Sequence, residues 1–140
     1  LNRGFLFGII KKWERNPHTQ TLKDFTLMRK IERQMNFAIS NKGNWSLSNT
    51  QVEYNESTNC SNVFLHGHNI ATVDHTTNSV KLSSCGWETV TTKSRLNAIL
   101  QEVKTGFSIF QKQFEWFLNG QGQTVDFFDG MILLDSGEVA

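Results

Sequence analysis

Residues 84–100 read SCGWETVTTKSRLNAIL, and they predict a connection from the end of a strand into a helix. A Gly86-Trp87 corner separates the two, since glycine accepts the backbone angles of a sharp bend at little steric cost. Beyond the corner, Leu96, Ile99 and Leu100 recur at helical spacing. The pattern predicts an amphipathic helix over about residues 92–104, with its leucines and Trp87 buried against a sheet.

The residues before this stretch follow first a helical and then a strand period. Residues 28–40 have apolar side chains on one face and basic ones opposite, which predicts a first helix. From residue 51 to residue 83 the period falls to two, and turn-like breaks interrupt it at 55–59, 66–69 and 75–79. Gly67 suits the tight turn of the second hairpin. We therefore predict four strands in an antiparallel meander.

The residues after this stretch predict two more strands. Residues 107–118 alternate as a strand does, although a helix is an alternative because some of the aromatic side chains also fit helical spacing. Phe110, Phe114 and Trp116 share one alternating face, whereas Phe110, Phe114 and Phe117 fit helical spacing. A turn at 120–123 leads to a last strand over 125–134, with a break at Asp129-Gly130. The predicted fold class is α+β: an N-terminal helix, an antiparallel β-meander of about four strands, one amphipathic helix packed on the sheet and two C-terminal strands.

The composition indicates one globular domain. The chain has 140 residues, of which 38% are hydrophobic and 19% charged. No run approaches the roughly 18 apolar residues that a membrane-spanning helix needs. Cys60 and Cys85 are too few for a disulfide framework. The composition therefore excludes a helical membrane span and a disulfide-built scaffold.

Charge is unevenly distributed, although the net charge is +1. Residues 1–42 carry nine Lys/Arg and three Asp/Glu, an arrangement typical of nucleic-acid contact. Residues 1–27, however, read as a linker or a non-native upstream segment, and Met28 opens the first predicted helix. We therefore expect the protein to start at Met28 and residues 28–136 to form a single α+β domain. From Met28 onwards nine basic and eleven acidic residues remain, so most of the basic arm disappears.

The start of the second predicted helix is a candidate phosphate site. Thr91, Thr92 and Ser94 offer hydroxyls to the first backbone amides, and Lys93 and Arg95 are expected to project from the first turn. A basic helix start with free amides suits a phosphate group. Thr92, Lys93 and Arg95 are therefore the candidate nucleic-acid or phosphate-binding residues. The alternative is an ordinary capped helix packed on a sheet.

The second hairpin carries candidate metal ligands. His66 and His68 lie two residues apart, and Asp74 and His75 follow in the same hairpin, so that together they are candidate ligands for zinc or a harder metal. The alternative is a polar hairpin tip whose side chains face solvent. No Cys-X-X-Cys or His-Glu-X-X-His spacing accompanies these residues, and we expect no cofactor.

Cys85 and a set of three aspartates are further catalytic candidates, but no sequence motif supports either of them. Cys85 would be a nucleophile if a histidine activated it, and is otherwise a buried thiol at a strand end. Asp126, Asp129 and Asp135 would have to meet in space to hold a metal for phosphodiester cleavage, and are otherwise turn and strand-end acids.

Four segments together resemble a family of small tailed-bacteriophage proteins of unknown function, known from marine and environmental phages. They are residues 63–71 (VFLHGHNIA), 86–89 (GWET), 91–100 (TTKSRLNAIL) and 110–117 (FQKQFEWF). The likeness covers about residues 28–134. That family usually has His-Gly-Asn at the hairpin, so His68 departs from the pattern, which counts against a His66–His68 ligand pair. The resemblance implies a phage origin and a host-cell cytoplasm setting, and it implies no activity, cofactor or catalytic residue.

These observations favour a phage accessory protein that is a non-enzymatic binding module. Its expected partner is nucleic acid or a host protein, with no membrane. One alternative is a small metal-dependent hydrolase or nuclease that uses His66, His75 and aspartates. Another is a virion or assembly component.

Overall fold

Two helices and nine strands are found in residues 28–140, the part of the chain that the computed structural model describes. In chain order they are α1 (Lys30–Ser40), β1 (Trp45–Leu47), β2 (Thr50–Asn55), β3 (Cys60–Leu65), β4 (His68–Asp74), β5 (Ser79–Leu82), α2 (Val90–Val103), β6 (Ser108–Lys112), β7 (Glu115–Gly120), β8 (Gln123–Asp126) and β9 (Met131–Leu133). The α+β class predicted from the sequence is confirmed. The expectation for residues 1–27 lies outside the described residues.

Six antiparallel strands form the main sheet, in the order β1-β2-β3-β4-β5-β9. Four of them, β2 to β5, are the predicted meander, and β1 is an additional short edge strand. Strand register places one apolar residue from each of β2, β3, β4, β5 and β9 in a continuous row across the main sheet. The row consists of Val52, Val63, Ala71, Leu82 and Met131, all buried.

Both helices cover the face of the main sheet that carries this row. Alternation along each strand sends every second side chain to that face, which explains why the core forms on one side only. Met35 and Ile39 of α1 and Leu96 and Leu100 of α2 are fully buried there. The predicted burial of the α2 stripe is confirmed for Leu96, Ile99 and Leu100. The helix begins at Val90, slightly earlier than predicted.

Residues 107–118 form a hairpin rather than the single strand or helix expected from their alternation. Gln113 and Phe114 make its two-residue turn, with φ of 53° and 69°, so β6 and β7 pair with each other. Phe114 therefore lies at a turn and is 91% exposed, whereas Trp116 is buried. The hairpin and β8 form a second, three-stranded sheet. The Asn97 side-chain amide joins this sheet to α2, since it bonds both the N–H and the carbonyl of Ile109 at 2.7 and 2.9 Å.

The last predicted strand, residues 125–134, divides between the two sheets. β8 pairs with β7 in the small sheet, and β9 pairs with β5 in the main sheet. The chain changes sheets at the predicted Asp129-Gly130 break, where the Gly130 N–H donates to the carbonyl of Leu82 at 2.8 Å. The C-terminal region thus contains four strands, where the sequence indicated two.

Candidate functional site

The four candidate metal ligands do not come together. His66 and His68 lie at one end of β4, and Asp74 and His75 lie at the other, about 20 Å away at the rise of a β-strand. Asp74 accepts hydrogen bonds from the N–H groups of the turn that follows it, and His75 Nε2 lies 2.8 Å from Ser61 Oγ. Within residues 28–140, no group of three or more His, Cys, Asp or Glu is placed to hold a metal ion. The four candidate ligands therefore belong to two separate turns and do not form one metal site.

The candidate phosphate residues at the start of α2 are mostly turned inward. Arg95 is only 4% exposed, and its Nη1 donates to Glu32 Oε2 at 2.7 Å. Its Nε also donates to Thr50 Oγ1 at 2.9 Å. Thr92 is buried, with its hydroxyl 3.0 Å from Thr89 Oγ1. The expectation that Arg95 projects into solvent is wrong, because helical spacing turns it towards α1. Lys93 alone of the three remains partly exposed.

One sequence signal for this inward turn was available. Glu32 lies between Met28 and Met35 on the apolar stripe of α1, and Arg95 lies beside Leu96 at the apolar stripe of α2. A charged residue on the buried stripe of each of two helices indicates that the two charges pair with each other, since an unpaired buried charge is costly.

A cleft of about 410 Å³ opens where three predicted features meet. They are the tip of the β3–β4 hairpin, the corner that follows β5, and the first turn of α2. Its lining consists of Leu65, His66, His68, Ile70, Ser84, Trp87, Thr89, Thr91 and Thr92. Leu65 and Ile70 are buried and apolar, and the lining contains no Lys, Arg, Asp or Glu. The cleft therefore combines an apolar floor with a rim of aromatic, imidazole and hydroxyl groups.

The hairpin tip supplies the histidines of the cleft. Leu65 pairs with His68, so His66 and Gly67 form a two-residue turn with φ of 52° and 80°. This geometry matches the twist of the flanking strands and confirms the predicted turn at Gly67. His66 and His68 are both exposed.

The corner after β5 supplies the aromatic wall. Cys85 and Gly86 have φ of 55° and 81°, and the Asp129 carboxylate accepts from the N–H groups of Ser84 and Gly86 at 2.7 and 3.3 Å. Trp87 is 60% exposed rather than buried, which corrects the prediction that it lies in the core. Its ring faces that of His68, with centroids 6.3 Å apart and planes tilted by 31°.

The first turn of α2 supplies hydroxyl and amide groups. Thr89 is the N-cap, and its hydroxyl accepts from the Thr92 N–H at 3.1 Å, so the capping role predicted for Thr91, Thr92 and Ser94 belongs to Thr89. The N–H groups of Val90 and Thr91 find no acceptor within residues 28–140. Donors of this kind at a helix start interact favourably with negative charge.

The other candidates of the sequence do not assemble into a catalytic group. Cys85 Sγ lies 3.1 Å from the carbonyl oxygen of Asn69. Asp129 braces the corner, Asp135 lies 3.8 Å from Lys104 Nζ, and Asp126 lies on β8. Of the two tryptophans named above, Trp116 is buried against Phe127, whereas Trp87 lines the cleft.

The architecture and the cleft together define a small α+β protein, largely β, with an aromatic-walled cleft at the end of its main sheet where β3 and β4 turn. The chain belongs to the Kyanoviridae Gp96 protein family of tailed cyanophages, whose family model matches residues 28–134. The resemblance to tailed-phage proteins is thereby confirmed. No curated protein and no solved structure matches the chain. Among residues 28–140, neither helix is long and apolar enough to cross a membrane.

Proposed function

We propose that this phage protein is a non-enzymatic accessory module that binds single-stranded nucleic acid in the host-cell cytoplasm, with one base held in the cleft against Trp87. The observation that carries this proposal is the Trp87 indole, which lines the cleft, is 60% exposed and lies beside the His68 ring. An exposed aromatic face gives any base a surface to stack on, at about 1–3 kcal/mol per base.

The cleft suits a base in size and in polar groups. Its volume of about 410 Å³ lies within the range of roughly 300–1,000 Å³ typical of small-molecule sites. The hydroxyl of Thr91 and the ring nitrogens of His66 are donors or acceptors for the edge of a stacked base. An aromatic side chain of a protein partner would also fill the cavity, but it would leave the unpartnered amides of Val90 and Thr91 unused.

Because residues 28–140 carry a small net negative charge, we expect phosphate contacts to contribute little to the affinity for nucleic acid. Residues 28–140 carry nine basic and eleven acidic side chains, and the cleft lining carries none. Lys93, in the first turn of α2, is the nearest basic residue in sequence to the cleft-lining Thr92. With about one phosphate neutralised, log K should fall with log salt concentration at a slope near −0.7, whereas a basic patch gives a much steeper slope.

The test is fluorescence anisotropy of the full chain with a fluorescein-labelled oligothymidylate at several salt concentrations. Trp87→Ala should weaken binding by about 5- to 150-fold, the equivalent of one lost stack. Phe114→Ala is the matched control, because it removes an exposed aromatic side chain from the small sheet without touching the cleft. Lys93→Ala should flatten the salt dependence. Equal affinities of the Trp87→Ala and Phe114→Ala variants, or no binding by the unaltered chain, would overturn the proposal.

A further inference from the structure

His66 and His68 are the two side chains of the cleft that can gain a positive charge. Among residues 28–140, the lining of the cleft contains no Lys or Arg, and these histidines are its only titratable side chains. A nucleic-acid strand carries a negative charge at each phosphate. Histidine is the side chain that ordinarily changes its charge between about pH 5 and pH 8. The charge of the cleft therefore depends on the protonation of these two imidazoles.

Both imidazoles are available to a ligand. His66 and His68 are exposed, and neither side chain makes a hydrogen bond to another residue of 28–140. The His68 ring lies beside the Trp87 ring, with centroids 6.3 Å apart, so a nucleotide whose base stacks on the indole lies close to this imidazole. His75, in contrast, is half-buried, and its Nε2 lies 2.8 Å from Ser61 Oγ. The ring nitrogens of His66 and His68 can therefore bind a proton and donate it to a ligand.

The other charged or titratable groups close to the cleft do not line it. On the corner after β5, at the start of α2 and on the segments packed against them, these groups are Cys85, Glu88, Lys93, Arg95, Glu32 and Asp129. Arg95 is paired with Glu32, and the Asp129 carboxylate accepts hydrogen bonds from the backbone of the corner. The β1–β2 turn, whose Asn49 carbonyl accepts the His66 N–H at 2.8 Å, carries no charged side chain. The two charges that remain have opposite signs, so the histidines decide the sign of the charge at the cleft.

We propose that protonated His66 and His68 are the phosphate contacts of the cleft, so that nucleic-acid binding is coupled to proton uptake. This inference rests on the proposed function of the cleft. A protonated imidazole donates charge-assisted hydrogen bonds to phosphate oxygens, and such bonds are roughly twice as strong as neutral ones. The coupling is reciprocal, because a phosphate that favours the protonated imidazole is itself bound more tightly after protonation, by the same factor. The affinity for a strand therefore rises as the pH falls.

The experiment is an anisotropy titration of the full chain with a rhodamine-labelled oligothymidylate between pH 8 and pH 5.5. Neither thymine nor the phosphodiester group titrates in this range, and rhodamine replaces fluorescein because fluorescein does. Affinity should rise by about 5- to 150-fold as the pH is lowered. The slope of log K against log salt concentration should steepen from near −0.7 towards about −2, because two further phosphates are neutralised. Circular dichroism at each pH checks that the chain stays folded.

Variants assign the effect to the two imidazoles. His66→Asn and His68→Gln should each reduce the pH dependence, and their combination should abolish it; asparagine suits the positive φ of the turn at residue 66. His66→Lys keeps a positive charge at pH 8 and should bind more tightly there than the unaltered chain. His75→Gln is the matched control, because it removes a histidine just past the far end of β4. It should leave the pH dependence of binding unchanged.

The outcomes separate this inference from the function on which it rests. If Trp87→Ala weakens binding but the unaltered chain binds equally well at pH 8 and pH 5.5, the proton coupling is wrong and the cleft remains a base site. A pH dependence that survives in the combined His66→Asn and His68→Gln variant, or that disappears in His75→Gln, would also overturn the coupling. Failure of the unaltered chain to bind at any pH would remove the proposed function itself.

Discussion

His75 shows, at the scale of one residue, how burial sets a protonation state. It is half-buried at the far end of β4, with Nε2 2.8 Å from Ser61 Oγ and the Tyr54 ring beside it. Its pKa is lowered below the ordinary 6.5, first by burial and then by the positive charge of Lys42, while Asp74 opposes the shift. The buried Ser61 therefore faces a histidine that the fold keeps neutral near pH 7.

The lowered pKa of His75 predicts a pH dependence of stability. Between that pKa and 6.5 the unfolded chain binds more protons than the folded one, so the free energy of unfolding should rise with pH across this window and fall as pH drops. Urea unfolding at several pH values measures it. His75→Gln should flatten the dependence in this window, and His66→Gln, at an exposed turn, should not. Asp74, whose pKa is lowered from 3.8 by hydrogen bonds from Thr77 and Thr76, acts only at more acidic pH. Identical pH profiles for His75→Gln and the unaltered chain would contradict the prediction.

The buried pair Arg95–Glu32 predicts a large stability effect at a position that the sequence placed at the surface. Arg95→Met leaves the Glu32 carboxylate buried without its cation, which should cost about 3–5 kcal/mol of unfolding free energy. Combining it with Glu32→Gln should recover much of the loss, because no unpaired charge remains. Lys93→Met, two residues away and partly exposed, should change stability by no more than about 0.5 kcal/mol. Equal denaturation midpoints for Arg95→Met and Lys93→Met would show that the Arg95–Glu32 pair does not contribute to stability.

At the scale of elements, the periodicity of buried side chains predicted the strands and the helix of the core, but it did not predict a hairpin whose turn has no recognisable sequence. The meander and α2 were visible because buried side chains recur at periods of two and 3.6. The β6–β7 hairpin was not, because Gln113-Phe114 lacks the Asn-Gly or Asp-Gly signal of a two-residue turn. The same limit applies to the cleft. The sequence indicated its hairpin, its corner and its helix start separately. The contact between His68 and Trp87, however, depends on strand register and on the Asp129 brace.

Because α2 packs on the main sheet, the stability of the protein should depend strongly on Leu100. This side chain is fully buried beneath the helix, so Leu100→Ala should lower the free energy of unfolding by about 2–5 kcal/mol. Leu47→Ala is the matched control, because that leucine of β1 is largely exposed. Thermal or urea denaturation compares the two variants. A melting temperature of Leu100→Ala equal to that of Leu47→Ala would contradict this placement of α2.

At the scale of the whole molecule, two sheets share one helix. α2 packs its leucines on the main sheet, and its Asn97 amide bonds Ile109 of the small sheet. The chain then returns through Asp129 and Gly130 to complete the main sheet with β9. Sequence alone could not give this path, because β8 and β9 are separated by only four residues yet belong to different sheets.

The pairing of β5 with β9 has a consequence for the order of folding. The hairpins from β1 to β5 are local contacts, whereas β9 must close a loop that contains residues 83–130. Non-local pairings form slowly because loop closure is entropically unfavourable before the contacts are made. We therefore expect the meander to form first and β9 to dock last. Asp129, just before β9, braces the Trp87 corner only after that docking, so a nascent chain would complete the wall of the cleft in the final step of folding.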